Sequence, residues 1–263
     1  MSSVTGRIKE VKQPRGGYIN PKSFTVTQLS TDTLLSDVEN IHPSLVGLAV
    51  DYLTRFMLGA SVEDAFKVSL MGVQVARRAV LDVLYDTKLD ELANITGLDD
   101  LSIVKACKLV SFDIWVRNLR GAFTAKLYTD VNPDKATIDN IRVMVERSLE
   151  FFKEYGPIKA DGFTFGDGYT RTVSTGDGDF LTADTLWDFK VSKNKPTSVN
   201  TLQLLMYWIM GQHSGLSIFD GVSFIGIYNP RLNCVYRMDI KDVPEEVINQ
   251  VKIDVIGYAD TTV

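Results

Sequence analysis

The stretch Gly176-Asp-Gly-Asp-Phe-Leu-Thr-Ala-Asp-Thr-Leu-Trp-Asp-Phe-Lys-Val-Ser-Lys193 concentrates the residues best able to do chemistry. If Thr182 to Thr185 form the four-residue loop of a β-hairpin, Leu181 pairs with Leu186, Asp179 falls opposite Asp188, and Asp177 opposite Lys190. Side chains alternate along a strand. Asp177, Asp179, Asp188 and Lys190 then share one face, and Phe180, Trp187, Phe189 and Val191 form a core face on the other. Directly opposed residues hold their Cβ atoms roughly 4.5–5.5 Å apart, where like charges are destabilising. A divalent cation between Asp179 and Asp188 would offset that repulsion. Hard Mg²⁺, or Mn²⁺, takes oxygen ligands and keeps several waters, so two carboxylates and a neighbouring backbone carbonyl suffice. Lys190 could orient or deprotonate a water, or stabilise charge on a phosphate. The same residues also fit a solvated hairpin face with Asp177–Lys190 and Asp188–Lys190 ion pairs. The D-x-K triplet does not decide between the two by itself.

The next helical stretch adds Gln203-Leu-Leu-Met-Tyr207. Gln203 and Tyr207 are four apart and share one helix face. Among Leu202, Leu204, Leu205 and Met206 they would be costly to bury without partners, and they also fit two boundary residues satisfied by water or backbone. With these residues the chain resembles the RecB-like branch of the PD-(D/E)XK nuclease superfamily. That family's pattern is Gly-x-x-Asp, then Asp/Glu-x-Lys, then Gln-x-x-x-Tyr on the following helix. Here the pattern reads Gly176-Asp-Gly-Asp179, Asp188-Phe-Lys190 and Gln203-Leu-Leu-Met-Tyr207, in the same order and spacing. The likeness covers 156–240. It implies Asp179 and Asp188 as metal ligands, Lys190 as the catalytic lysine, and Gln203 and Tyr207 as residues that support the site or contact DNA. It further implies Mg²⁺ (or Mn²⁺) as cofactor and DNA as partner. The expected activity is that of an exonuclease of phage or mobile-element type, with a recombination or single-strand-annealing protein as a further partner. A nuclease fold that grips nucleic acid without cutting, and a structural or regulatory phage protein with a coincidental motif, are the competing readings.

Family members carry a further ligand on a helix before the strands, often as Gly-x-x-x-His. The candidate here is Gly47-Leu-Ala-Val-Asp51, with Asp51 in place of the histidine. Asp51 reads as a third metal ligand or as a surface acid paired with Arg55 at i+4. Glu146 and Glu150 are rivals for the same role. Lys193, Lys195, Arg171, Arg231 and Arg237 could rim a DNA-binding groove, although each alone reads as a solvated charge. The only histidines are His42 and His213, and the only cysteines Cys107 and Cys234. A histidine cluster, a four-cysteine metal site and a disulfide framework are therefore excluded. His213 reads as a helix-end residue.

Positioning that hairpin requires a sheet and helices to back it. Apolar spacing predicts a helix from Pro43 with a stop at Gly59, and a second from the Ser61/Asp64 capping box to about Tyr85. A third carries Ile103, Cys107, Val110 and Ile114, and a fourth runs through Ile138, Ile141, Val145, Leu149 and Phe152 to Gly156–Pro157. After Pro157 the pattern turns to strands: Phe163–Phe165, Thr170–Val173, Phe180–Leu181 and Leu186–Val191. A helix at Ser198–Gln212 follows, then strands Val222–Tyr228 and Cys234–Ile240. The expectation is an α/β (α+β) chain: one nuclease domain over 1–263, with a mixed central sheet flanked by helices. A basic N-terminal arm spans 1–22, a mainly helical block is inserted over 60–155, and the catalytic motifs span 156–240. The arm carries Arg7, Lys9, Lys12, Arg15 and Lys22 and reads as a solvated tail or as a contact for phosphates. With 45% hydrophobic and 23% charged residues the composition is that of a globular protein. The net charge of −5 argues against broad coating of nucleic acid, but bound Mg²⁺ would restore charge locally. Neither a signal core nor a membrane-length apolar run is found, so a cytoplasmic protein is expected.

Overall fold

The computed structural model describes residues 1–30, 33–80 and 86–259. In chain order the main elements are β1 (Ser2–Ser3), α1 (Val4–Glu10), β2 (Thr25–Gln28), α2 (Pro43–Met57), α3 (Lys67–Ala79), α4 (Asp100–Val110) and α5 (Lys135–Tyr155). Next come β3 (Ala160–Phe163), β4 (Val173–Thr175), β5 (Gly178–Leu181), β6 (Thr185–Phe189), α6 (Ser198–Gln212), β7 (Phe224–Asn229), β8 (Cys234–Asp239) and α7 (Glu245–Gln250). The chain forms two compact units. Met1–Ser30 and Phe151–Val263 make the sheet unit, and Thr31–Glu150 the helical unit. No helix among the described residues is long and apolar enough to cross a membrane.

The sheet unit is a mixed α/β structure. Six strands lie in the order β2-β8-β7-β6-β5-β3. All neighbours are antiparallel except β6 and β7, which are parallel and joined through α6. That connection follows from the sequence: a parallel pair needs a crossover, and α6 supplies it. Leu181, Leu186, Ile225 and Ile227 bury one sheet face in a cluster that includes Leu202, Leu205, Met206 and Ile209 of α6. Trp187 and Phe180 project from the other face. There Phe151 stacks on Tyr228 with ring centroids 4.0 Å apart and meets Trp187 edge-on at 5.0 Å. A Cβ at Gly226 would come within 2.3 Å of the Trp187 ring, so this neighbour in the sheet must be glycine for the indole to lie flat.

The first residues do not stand free as an arm. Ser3 caps α1, accepting from Gly6 N at 3.0 Å, and Val4 and Ile8, four apart on one helix face, are both buried. Arg7 donates through Nε to Val255 O at 2.9 Å and through Nη2 to Asp254 O at 2.8 Å, so its charge is spent on a π-helical turn at Val251–Ile256. Further on, Thr201 Oγ1 of α6 donates to Ile19 O at 2.7 Å, Phe24 is buried, and β2 joins the sheet edge against β8. Burial of Val4, Ile8, Ile19 and Phe24 outweighs the solvation expected for a charged segment.

In the helical unit, α2 begins with His42 as its cap and ends before Gly59 at φ +107°. Ser61 Oγ accepts from Asp64 N at 3.1 Å and opens a single helical turn at Val62–Ala65. The following helix, α3, is described to Ala79. The part of the expected helix at 81–85 lies outside the described residues. Ile103, Ala106, Cys107 and Val110 of α4 and Ile138, Ile141, Met144 and Val145 of α5 are buried. Each fully buried large aliphatic side chain is worth roughly 1.5–3 kcal/mol relative to exposure.

Candidate functional site

The β5–β6 hairpin forms in the register expected from sequence, with Phe180 paired to Trp187 and Leu181 to Leu186. Thr182 N donates to Thr185 O at 3.0 Å across the loop, and Trp187 Nε1 donates to Thr182 Oγ1 at 3.1 Å. One step beyond Phe180, Phe189 N donates to Asp179 Oδ2 at 2.8 Å, so a side chain holds the open end of the hairpin. Before it, Gly176 lies where a Cβ would be 2.7 Å from Val4 Cγ2 and 3.4 Å from Tyr207 Cε1. Only glycine allows this approach to α1 and α6. Tyr169 OH donates to the Gly176 carbonyl at 2.6 Å and fixes its position.

Asp188 is the electrostatic centre of the arrangement. Its side chain is 1% exposed, which removes the solvated-face reading at this position. Lys190 Nζ donates to Oδ1 at 2.7 Å. The second oxygen, Oδ2, is buried and has no hydrogen-bond partner. Burial pushes the carboxyl up to about 6. The Lys190 ammonium opposes that rise and the Asp179 charge adds to it. The two acids are therefore close enough for the Asp179 charge to act on Asp188, and Lys190 holds the other side of Asp188. Asp177 is exposed, and Lys190 forms an ion pair with Asp188.

Gln203 and Tyr207 lie on the side of α6 that faces these acids. Gln203 Nε2 donates to Tyr207 OH at 2.9 Å, and both side chains are buried. Burial, and then the Asp179, Asp188 and Asp177 charges, hold the Tyr207 hydroxyl protonated against the opposing Gln203 hydrogen bond. The pair thus satisfies itself, which resolves the cost of placing two polar side chains on an apolar helix.

Beside Lys190, at the C-terminal ends of the parallel strands, lies a cavity of about 220 Å³. Ser192, Lys195, Thr197, Asn200 and Asn229 are among its lining residues. Sequence reasoning missed Asn229. Its Nδ2 donates to Ser192 O at 2.8 Å and its Oδ1 accepts from Arg231 N at 3.0 Å, tying the loop after Lys190 to the end of β7. In the sequence the Asn229–Pro230 pair reads only as a turn between two strands. Arg237 sits at the other end of the strands. It donates to Asp184 Oδ2 at 2.7 Å and its guanidinium lies 3.7 Å over the Phe224 ring. His213 ends α6 and stacks on Tyr258.

Asp51 belongs to α2 of the helical unit, where Arg55 Nε donates to its Oδ1 at 2.9 Å. Glu146 and Glu150 are exposed on α5. Among the described residues no group of three or more His, Cys, Asp or Glu side chains is placed to hold a metal ion. The side-chain donors at the hairpin are thus the two acids alone. The orphaned Asp188 Oδ2 beside a second carboxylate fits a hard cation, which draws its remaining ligands from water and backbone oxygen.

No protein-family model, curated protein or solved structure matches the chain.

Proposed function

We propose that the sheet unit is a Mg²⁺- or Mn²⁺-dependent nuclease of the PD-(D/E)XK type, an exonuclease acting on DNA in phage or mobile-element processing. One observation carries the reading. Asp188 is a fully buried carboxylate with one oxygen on Lys190 and the other without a partner, beside Asp179. Leaving a buried carboxylate oxygen unpaired costs of order 1–3 kcal/mol, which folding alone gives no reason to keep. Asp179 and Asp188 would hold the cation, which when bound supplies Lewis-acid chemistry, acidifying water and neutralising phosphate charge. Asp179 Oδ2 accepts from Phe189 N, which orients the carboxylate. Lys190 is part-exposed, with its ammonium on Asp188 and the cavity at its side. It is placed to hold a proton-bearing group against a phosphate entering from that side. Gln203 and Tyr207, buried and hydrogen-bonded to each other, would support the acids from α6.

The two-acid donor set also favours a second reading, a nuclease fold that binds nucleic acid without cutting it. Incubation with linear and circular DNA, with and without Mg²⁺ or Mn²⁺, separates the two. Metal-dependent loss of linear DNA alone, abolished in Lys190→Ala, supports the exonuclease. Lys190 cannot itself ligate a cation, so calorimetric Mn²⁺ binding should survive Lys190→Ala and vanish in Asp188→Ala. Retardation of DNA without cutting at any metal concentration would overturn the enzymatic reading.

A further inference from the structure

The helical unit contains a separate cavity of about 650 Å³, within the roughly 300–1,000 Å³ range of small-molecule sites. Its apolar wall includes Leu45 and Leu48, one turn apart on α2, together with Val110 at the end of α4 and Ile114 and Val131 from the following turns. Leu45, Leu48 and Ile114 are only half-buried, so apolar surface is left for a ligand to cover.

The lining also carries a polar cluster centred on Asp113. The Asp113 side chain is 3% exposed. Its Oδ1 accepts from Ser69 Oγ at 2.5 Å, and its Oδ2 from Tyr52 OH at 2.6 Å and Arg117 Nε at 3.3 Å. Both oxygens are thereby occupied, and Asp113 acts on the cavity through Arg117. That guanidinium spends Nε on Asp113 and Nη2 on Tyr52 OH at 3.3 Å. Its Nη1 has no partner among the described residues, and Lys126, also on the wall, makes no ion pair or side-chain hydrogen bond among them. With both Asp113 oxygens occupied, the lining offers donors on Arg117, a half-exposed, permanently charged group held by Asp113 and Tyr52. Asp113 and Asp130 offset Arg117 and Lys126 in the lining as a whole. A multiply charged anion such as a nucleotide therefore gains little there, whereas a single carboxylate finds charge-assisted donors.

We infer that this cavity binds a small amphipathic monocarboxylate, an apolar body whose carboxylate meets Arg117 and Lys126. All the lining residues belong to the helical unit, and the acidic hairpin to the sheet unit.

The test uses the full chain with 1-anilinonaphthalene-8-sulfonate as fluorescent probe, displaced by decanoate or by its neutral analogue decanol, both below micellar concentrations. Decanoate should displace the probe roughly tenfold more tightly than decanol, as expected for charge-assisted hydrogen bonds. Lys126→Gln, a change at an exposed position, should reduce that preference while leaving decanol unaffected. Leu48→Trp fills the cavity and should weaken decanoate by roughly tenfold or more. Ile41→Trp, from the loop on the same wall, gives the same readout if Leu48→Trp lowers the melting temperature. The inference is overturned if no saturable displacement occurs, if decanol matches decanoate in the wild type, or if a folded cavity-filled variant binds as the wild type does.

Discussion

Replacing Asp188 by asparagine should stabilise the protein in the absence of metal. The carboxyl is fully buried, and burial moves it from the ordinary 3.8 up to about 6. At ~1.4 kcal/mol per pKa unit, the charged form is disfavoured in the folded state by on the order of 3 kcal/mol. Asparagine has nearly the same shape. Its oxygen can still accept from Lys190, and its amide can donate toward Asp179, which lacks a donor from Asp188 at neutral pH. Lys190 is part-exposed and keeps access to water. A carboxyl whose folded-state pKa lies above its unfolded value binds its proton more tightly when folded. Its contribution is therefore fully present below pH ~4 and is lost as pH rises through about 6. Urea unfolding of the metal-free wild type between pH 4 and 8 should show that loss, while Asp188→Asn should lack it and exceed the wild type at pH 7.5. Added Mg²⁺ should raise the wild-type midpoint by mass action and leave the variant unchanged. A variant equal to or weaker than the wild type at pH 7.5, with the same pH profile, would refute the reasoning, because Asp188 would then be adequately paired by Lys190 alone.

Three further outcomes follow from the packing. Phe151→Ala removes the ring stacked on Tyr228 and set against Trp187; it should cost roughly 3–5 kcal/mol in chemical unfolding, and a loss below about 1 kcal/mol would show that the site collapses to fill the space. Tyr207→Phe leaves buried Gln203 Nε2 without its acceptor, so thermal unfolding should report a loss of roughly 1–3 kcal/mol. Burial pushes the Cys107 thiol up to about 12; iodoacetamide at pH 8 should therefore modify it only after unfolding, and rapid labelling of the native protein would contradict its placement.

The parts of the fold that were legible in the sequence are those where a local pattern and tertiary demand agree. The helix Ser198–Gln212 has the bounds read from its apolar spacing, and the hairpin register is the one that a four-residue loop at Thr182 to Thr185 implies, with Leu181 on Leu186. Strand ends shifted by a few residues. Thr170–Val173 became Val173–Thr175, because Thr170 Oγ1 is committed to Ile256 O and to the Thr172 and Val173 amides. The N-terminal segment was misread because its helix is seven residues long. One Val–Ile pair at i,i+4 among charges is too little pattern to show that distant chain would cover it. β2 was missed for a related reason: all four of its residues are exposed, and only pairing with β8 makes them a strand. Within the candidate site, residue types and spacing pointed to Asp179, Asp188 and Lys190. They could not show that Asp188 would be buried with one oxygen unpaired, which depends on α6 closing over the sheet face.

The placement of β2 has a consequence for biosynthesis. Thr25 pairs with Arg237 and Gln28 with Cys234, so β2 and β8, about 200 residues apart in the chain and made at very different times, are neighbours. Translation proceeds at roughly 5–20 residues per second. The N-terminal segment, with Val4, Ile8, Ile19 and Phe24, must therefore wait many seconds with its apolar residues uncovered until α6 and β8 emerge. The helical unit, contiguous in sequence, has all its residues available long before that. The nascent chain thus passes through a stage in which a complete helical unit is flanked by an unprotected N-terminal strand. A holdase bound to residues 1–30 during that interval would delay only the sheet unit.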